Sequence, residues 1–356
     1  STCRGRYGRT GRLDRPKPAS LGCAAAFLPQ NRAVMDFPSI RELIAEDLKA
    51  TDALILDRLS SDVVLINQIG HYIVNSGGKR LRPLLMMRSA RLCGCEVEDL
   101  AQFAVIFEYL HAATLMHDDV VDASELRRGQ DTANAVFGNE ASVLVGDFLH
   151  SRSFEMMVSV GRREVMEILS TATNRIAEGE ALQLLNCNDA DTTEHRYREV
   201  ILRKTDTLFE AGAQLGAIIS EAGREVETAL ANYGLHLGMA FQMIDDALDY
   251  GAAGSEIGKN IGDDLAEGKP TLPLIRAMQQ SDGEAKKLLR EVIENGGADR
   301  IDEVLAAIES TDAIAYTARL ATDEAAAAKQ ALVPLPVTDY RRALEALADF
   351  AVSRSF

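Results

Sequence analysis

Apolar residues recur at helical spacing along almost the whole chain from Met35 onward. The pattern Ser39-x-x-Glu42 is typical of a capping box, and apolar residues follow it every three or four positions from Ile40 to Leu59. The same periodicity predicts further helices over residues 81–95, 99–119, 133–157, 162–184, 193–221, 224–250, 271–279, 283–295, 299–309, 312–330 and 338–352. Gly and Pro residues separate these segments, and no strand-like alternation exceeds four residues. We therefore predict an all-α fold.

Two acidic motifs interrupt this apolar pattern. They are Asp118-Asp119-Val120-Val121-Asp122, the first acidic motif, and Asp245-Asp246-Ala247-Leu248-Asp249, the second. On a helix, residues i and i+4 lie on one face, so the outer aspartates of each motif would repel each other. Because apolar residues flank both motifs, a solvated acidic face explains them poorly. All six aspartates are candidate ligands for Mg²⁺, which keeps coordination positions open for water and substrate phosphate.

Composition and charge narrow the possible functions. The 356 residues have a net charge of −16, which makes nucleic acid and anionic membranes poor partners. No apolar run reaches the roughly 18 residues that a transmembrane helix requires. The five cysteines are odd in number and lack zinc-ligand spacing, so we expect reduced thiols in a cytoplasmic protein.

Residues 1–34 differ from the rest of the chain. They carry seven basic residues against one acidic residue and show no hydrophobic periodicity, which predicts a disordered basic leader. Because Met35 lies just before the first helix signal, we expect a cloning addition or a mis-assigned start, with an organelle transit peptide as the alternative. Residues 35–356 are predicted to form a single all-α domain, because the two acidic motifs can cooperate only within one helical bundle.

Clusters of basic residues suggest a phosphate-bearing ligand. In Gly77-Gly78-Lys79-Arg80-Leu81-Arg82-Pro83, three cations lie at a predicted helix start, where free backbone N–H groups also favour anions. Arg127-Arg128-Gly129 follows the first acidic motif. The segments Gly258-Lys259 and Glu267-Gly268-Lys269-Pro270 follow the second, as a possible lid. Cations beside magnesium-binding carboxylates are typical of polyphosphate sites.

In this order and context, the motifs resemble those of the trans-prenyltransferases, the (E)-polyprenyl diphosphate synthases. The resemblance covers the chain from about residue 36 to its C-terminus. It rests on Gly-Gly-Lys79-Arg80-x-Arg82-Pro, Glu108-Tyr109-Leu110-His111, His117 with the first acidic motif, Arg127-Arg128-Gly129, Gly146-Asp147, Lys204-Thr205, Gln242 with the second acidic motif, and Gly258-Lys259.

The resemblance implies an isoprenoid-synthase helical bundle around a central cavity, usually as a homodimer. It implies Mg²⁺-dependent head-to-tail condensation of isopentenyl diphosphate with an allylic diphosphate, with three Mg²⁺ ions per site when substrate is bound. The metal ligands would be Asp118, Asp119, Asp122, Asp245, Asp246 and Asp249. The allylic diphosphate would be held by Arg127, Lys204 and Lys259, and the isopentenyl diphosphate by Lys79, Arg82, His111 and Arg128. Lys204, Thr205 and Gln242 are the expected catalytic residues.

Product length depends on what blocks the cavity below the first acidic motif. Counting back four and five residues from Asp118 gives Thr114 and Ala113 on the same helix face. Short-chain members of the family tend to carry aromatic residues there. Small residues predict an open tunnel, so by family analogy we expect a product of about C40 to C50, as in the octaprenyl, solanesyl and decaprenyl synthases, suited to quinone side chains.

Three alternatives remain. A terpene cyclase shares the fold, but its second metal motif usually departs from Asp245-x-x-x-Asp249. A geranylgeranyl or farnesyl diphosphate synthase is disfavoured only by Ala113 and Thr114. A non-catalytic partner subunit would generally lack one acidic motif or the basic residues, whereas this chain keeps them all.

Overall fold

Long helices form the framework of the protein. The computed structural model describes residues 36–75, 79–97, 100–127, 129–251, 262–297 and 300–353. In these residues the α-helices are α1 Phe37–Glu42, α2 Ala45–Arg58, α3 Val64–Asn75, α4 Leu81–Leu92, α5 Leu100–Val121, α6 Ala133–Phe137, α7 Asn139–Val160, α8 Arg163–Asn186, α9 Glu194–Ile201, α10 Thr207–Ile219, α11 Arg224–Asp249, α12 Asp263–Ala266, α13 Leu272–Gln280, α14 Gly283–Asn295, α15 Ile301–Ser310, α16 Ala313–Ala331 and α17 Asp339–Val352. The predicted all-α fold is confirmed.

Two short non-α elements have consequences for the site. A π-helical turn, Leu202–Asp206, joins α9 to α10, so the single helix predicted over residues 193–221 is divided. Strands β1 Leu126–Arg127 and β2 Gln130–Asp131 form a small antiparallel hairpin directly after α5. The sequence pattern predicted neither element, because both interrupt apolar spacing only briefly.

The start of the first helix corrects one prediction. The N-cap is Asp36, whose carboxylate accepts a hydrogen bond of 2.9 Å from the backbone N–H of Ser39. Ser39 therefore lies inside α1 and is not the cap. Both residues satisfy the preference for short polar side chains at this position, and the register with Pro38 in the first turn selects Asp36. Helix α3 also has no counterpart among the predicted segments.

The central helices pack unusually closely at glycines. Helix α11 packs against α10 and α16, while α5 packs against α7 and α4 against α10. A Cβ on Gly234 of α11 would lie 2.3 Å from the backbone O of Phe209, and one on Gly216 of α10 would lie 2.4 Å from the Cβ of Ser89. These contacts leave no room for any side chain at either glycine. They set the spacing of α10 from α4 and from α11, the helix that carries the second acidic motif.

The described residues, which begin at Asp36, belong to one compact unit. The predicted leader, residues 1–34, lies outside the described residues. None of the helices in the described part of the chain has both the length and the apolar character needed to cross a membrane.

Candidate active site

Both acidic motifs occupy the last turn of a long helix. The first motif spans the end of α5 and the residue after it, Asp122, and the second ends α11. The C-terminal end of a helix carries the negative end of its macrodipole, which adds to the carboxylate charge and favours cations there. Asp119, Asp246 and Asp249 are buried, while the other three aspartates are partly buried. Ionised carboxylates at such depth require compensation by positive charge or hydrogen bonds.

Three basic side chains compensate the first acidic motif, one for each aspartate. Lys204, in the π-helical turn, has its Nζ 3.5 Å from Asp118 Oδ2. Arg127 in β1 donates from Nε and Nη2 to Asp119 Oδ1, at 2.9 and 2.5 Å. Lys269 Nζ lies 2.6 Å from Asp122 Oδ2. Burial raises the pKa of Asp119, and its bonds to Arg127 oppose that shift.

Hydrogen bonds organise the second acidic motif. Asp246 accepts from the Tyr197 hydroxyl at 2.6 Å and from Gln242 Nε2 at 2.8 Å. The Thr205 hydroxyl in turn donates to Gln242 Oε1 at 3.0 Å. Burial, and then the negative charge of Asp264, raise the pKa of Asp246 to about 7. Two of the predicted catalytic residues, Thr205 and Gln242, thus form one chain of hydrogen bonds that ends on this aspartate.

The second acidic motif faces a cavity of about 130 Å³, which two cations paired with the first motif also line. The second motif contributes Asp246 to its wall, and Lys204 and Lys269, each paired with an aspartate of the first motif, contribute to the same wall. The remaining lining residues come from α8, α9, the π-helical turn, α11, α12 and the segment before α13: Gln183, Asn186, Tyr197, Val200, Ile201, Thr205, Gln242, Asp264, Pro270 and Thr271. The cavity therefore combines a carboxylate of the second acidic motif with ammonium groups and apolar surface.

A carboxylate outside every sequence motif, that of Glu180, positions Lys204. The Nζ atom of Lys204 lies 2.7 Å from a carboxylate oxygen of Glu180 in α8. Burial, and then the charge of Asp118, raise the pKa of Glu180 to about 7. Gly179 lets the π-helical turn come this close to α8, because the Cβ of any other residue there would lie 2.6 Å from the backbone N of Lys204. No local motif signals Glu180, because its partner lies on another helix.

Lys269 was predicted as a cation of the possible lid, but not as a partner of the first acidic motif. It lies in the possible lid and bonds both Asp122 and Glu267, each at 2.6 Å. Glu267 accepts a hydrogen bond of 3.3 Å from Ser124, just beyond the first motif. Together these bonds join the segment after the second acidic motif to the first. The other predicted lid cation, Lys259, lies outside the described residues, as does Arg128.

The cations expected to bind isopentenyl diphosphate lie at the start of α4. Lys79 is exposed, and the Arg82 guanidinium lies 4.9 Å from the ring centroid of Phe209. Arg80, between them, has a left-handed backbone with φ of 51° and forms an ion pair with Glu108. Arg80 therefore supports the turn, while its two neighbours remain candidates for substrate. His111 lies on α5, partly buried.

The two predicted chain-length residues differ in exposure. Ala113 is buried in the main hydrophobic core, and Thr114 is partly buried with its hydroxyl bonded to the backbone O of His111 at 2.8 Å. On the neighbouring face, His117 packs over Gly146 of α7, where a Cβ would lie 2.4 Å from its Nε2. Gly146 therefore makes room for the imidazole beside the first acidic motif.

The donor atoms of the site suit Mg²⁺. Within the described residues, no three His, Cys, Asp or Glu side chains converge closely enough to hold a metal ion by themselves. Mg²⁺ usually takes only one or two carboxylates and completes its octahedron with water and substrate phosphate. Asp246 on the cavity wall and the first-motif carboxylates that pair with Lys204 and Lys269 fit that requirement, whereas a closed protein cage is not needed.

Comparisons with known proteins agree with this geometry. The polyprenyl synthetase family profile matches residues 63–310. Octaprenyl diphosphate synthase of Escherichia coli (strain K12) is 50% identical over 321 residues, which cover 90% of this chain and 99% of that protein.

Two solved structures show the same fold. Polyprenyl synthase from Caulobacter crescentus CB15, complexed with calcium and isoprenyl diphosphate, is 42% identical with a TM-score of 0.87, over 91% of this chain and 99% of the other. A decaprenyl diphosphate synthase from Rhodobacter capsulatus is 41% identical with a TM-score of 0.85, over 90% and 99%. The predicted isoprenoid-synthase fold and prenyltransferase class are confirmed. The chain belongs to the polyprenyl synthetase family.

Proposed function

We propose that the protein elongates an allylic diphosphate with isopentenyl diphosphate to a long-chain all-trans polyprenyl diphosphate of about C40 to C50. The observation that carries this proposal is the cavity lined by Asp246 of the second acidic motif and by Lys204 and Lys269, which pair with aspartates of the first motif. The relatives named for octaprenyl and decaprenyl products support the length. Such a product suits a quinone side chain.

The first step in this proposal is ionisation of the allylic C–O bond. Magnesium held by the two acidic motifs would supply Lewis-acid stabilisation of the departing diphosphate. Lys204 and Arg127 are held by ion pairs with Asp118 and Asp119 of the first motif. They would therefore add fixed positive charge where the diphosphate charge develops. Thr205 and Gln242 would orient their dipoles near the allylic cation, because their mutual hydrogen bond holds both on the cavity wall.

The second substrate would bind at the start of α4. Lys79, Arg82, His111 and Arg128 would hold the diphosphate of isopentenyl diphosphate, whose double bond attacks the allylic cation. A proton is then lost, and the released diphosphate is its proposed acceptor. No covalent enzyme intermediate is needed.

Three Mg²⁺ ions per site remain our proposal for the substrate-bound state. The six aspartates Asp118, Asp119, Asp122, Asp245, Asp246 and Asp249 would hold them. The Caulobacter relative binds a divalent cation together with an isoprenyl diphosphate, which supports a metal-bridged diphosphate. Lys259, in the family pattern, would add a further cation to the allylic diphosphate.

A single incubation tests the function. The purified chain is supplied with farnesyl diphosphate, labelled isopentenyl diphosphate and Mg²⁺, and the products are sized by chromatography. Linear products of about C40 to C50 are expected. Products of C20 or shorter would favour a short-chain synthase, and cyclic hydrocarbons a terpene cyclase. No product without an added partner chain would favour a non-catalytic subunit.

Substitution of Ala113 by Phe should shorten the product. The new ring would project one turn below Asp118 and block the tunnel, so we expect shorter chains at little change in the rate of the first condensation. Product sizing and the melting temperature are measured together. If Ala113 faces only packed core, Phe would instead destabilise the fold by about 1–3 kcal/mol and leave product length unchanged, which would contradict the tunnel.

A homodimer is also proposed, through the outer face of α7. Leu144 and Val158 are both more than 60% exposed, and they lie on one face of this helix together with Ser151. Leu144→Arg should convert the dimer to monomer in light scattering, because it places a charge in an apolar interface. Val337→Arg is a matched control, since Val337 is as exposed but lies before α17. An unchanged mass for Leu144→Arg would exclude this face.

A further inference from the structure

Two phenylalanines near opposite ends of the described chain meet beside Lys79. Phe37 lies in the first turn of α1, and Phe350 lies in the last turn of α17. Their rings stack with centroids 4.6 Å apart and an angle of 18° between the planes. The Lys79 ammonium lies 5.1 Å from the centroid of the Phe350 ring. We call the two rings the aromatic pair.

Lys79 is thus held at both its backbone and its side chain. Arg41, also on α1, donates a hydrogen bond of 2.9 Å from Nη1 to the backbone O of Lys79. The negative face of an aromatic ring attracts an ammonium group, which restrains the flexible side chain. Lys79 nevertheless remains exposed, so its ammonium can also be reached by a phosphate.

Arg82, a second cation of the same proposed substrate site, also lies over an aromatic ring. The Arg82 guanidinium lies 4.9 Å from the Phe209 centroid, and Phe209 packs against Phe241 with centroids 5.7 Å apart. Phe209 is buried in the core, whereas Phe37 and Phe350 are only partly buried. The ring under Lys79 can therefore be changed without opening the core.

We propose that the aromatic pair is a positioning element of the isopentenyl diphosphate site, which holds the Lys79 ammonium where the diphosphate binds. The inference rests on the proposed function, because it requires Lys79 to contact that substrate. A side chain that is already restrained loses less conformational entropy when a ligand binds, so affinity rises without a new contact. The two ends of the domain thereby contribute to one substrate site.

The test is the Phe350→Leu variant, which keeps an apolar side chain but removes the ring. With the allylic diphosphate saturating, the KM for isopentenyl diphosphate should rise about two- to fivefold, the change that an exposed cation–π contact corresponds to. The KM for the allylic diphosphate and kcat should stay unchanged. Phe350→Trp should restore the KM, because Trp is the strongest cation–π partner. An unchanged KM in Phe350→Leu, or no rescue by Trp, would overturn the proposal.

A double-mutant cycle separates this inference from the proposed function. Lys79→Met should raise the KM for isopentenyl diphosphate, and adding Phe350→Leu to it should have no further effect. If Lys79→Met leaves the KM unchanged, the substrate role of Lys79 fails. If Phe350→Leu raises the KM equally with and without Lys79, the substrate role stands, but the ring acts through the fold and the positioning role is refuted.

Discussion

Replacing Asp119 by Asn should lower kcat by about 10²- to 10³-fold, the typical loss when one preorganised electrostatic group is removed from an active site. Asp119 is the buried aspartate of the first acidic motif, and it holds Arg127 through two hydrogen bonds. The amide keeps the shape of the side chain but removes the negative charge. Both magnesium and the Arg127 guanidinium would then lose the negative charge that binds them. Steady-state rates at saturating substrates and varied Mg²⁺ concentration measure the effect.

Asp57→Asn is the matched control for this result. Asp57 also lies in the last turn of a helix, α2, but it is exposed, and among the described residues its one ion pair is with the neighbouring Arg58 at 3.8 Å. Its substitution should leave kcat unchanged. Circular dichroism should show that both variants are folded. A kcat for Asp119→Asn within about threefold of the parent protein would contradict the metal-binding role of the first acidic motif.

Replacing Arg88 by Met should increase the free energy of unfolding by about 1–4 kcal/mol, as seen when buried charged groups elsewhere are replaced by apolar ones. Arg88 lies in α4 with no exposed surface, and no hydrogen-bond acceptor among the described residues serves any of its three guanidinium nitrogens. Met has similar length and adapts to irregular space. Urea unfolding followed by circular dichroism measures the change.

The pH dependence of this gain identifies its cause. Burial lowers the pKa of Arg88 to about 10, so the folded state binds the proton less tightly than the unfolded state does. The charged form therefore destabilises the fold at all pH values below about 10, and the penalty falls as pH rises through that value. The stabilisation by Met should accordingly be constant near neutral pH and shrink above about pH 10.

Arg91→Met provides the opposite result on the same helix. Arg91 donates from Nη2 and Nε to the two carboxylate oxygens of Asp47, at 2.7 and 3.1 Å. Its removal leaves a partly buried acid without its partner, so this variant should be less stable than the parent protein. If Arg88→Met were also destabilising, the result would contradict the prediction and show that the Arg88 guanidinium is stabilised in the folded protein.

Most of the helices and both acidic motifs were predictable because their signals are local, whereas α3 was not predicted. Helical periodicity repeats within four residues, so the positions of α5 and α11 follow from the order of apolar side chains. Asp118 and Asp245 begin motifs whose spacing on one helix face requires no knowledge of the rest of the fold. Where two local signals competed, as at Asp36 and Ser39, the sequence pattern selected the wrong cap, because both residues obey the same preference.

The π-helical turn shows the limit of local periodicity. Lys204 and Thr205 were recognised as a motif, but the motif lay within a predicted uninterrupted helix. Packing of Gly179 and Gly238 against this turn lets it approach both α8 and α11. Only that approach brings Lys204 to Glu180 and Thr205 to Gln242.

The chain alone thus specified an all-α protein with two acidic helix ends and basic clusters suited to a diphosphate, because each of these features is encoded within a few residues. The packed fold decided which cation compensates which acid. Asp122 pairs with Lys269, 147 positions away, and the Lys79 ammonium lies over the ring of Phe350 near the far end of the chain. Such pairs depend on how closely distant helices approach, and side-chain spacing along one chain carries no measure of that distance.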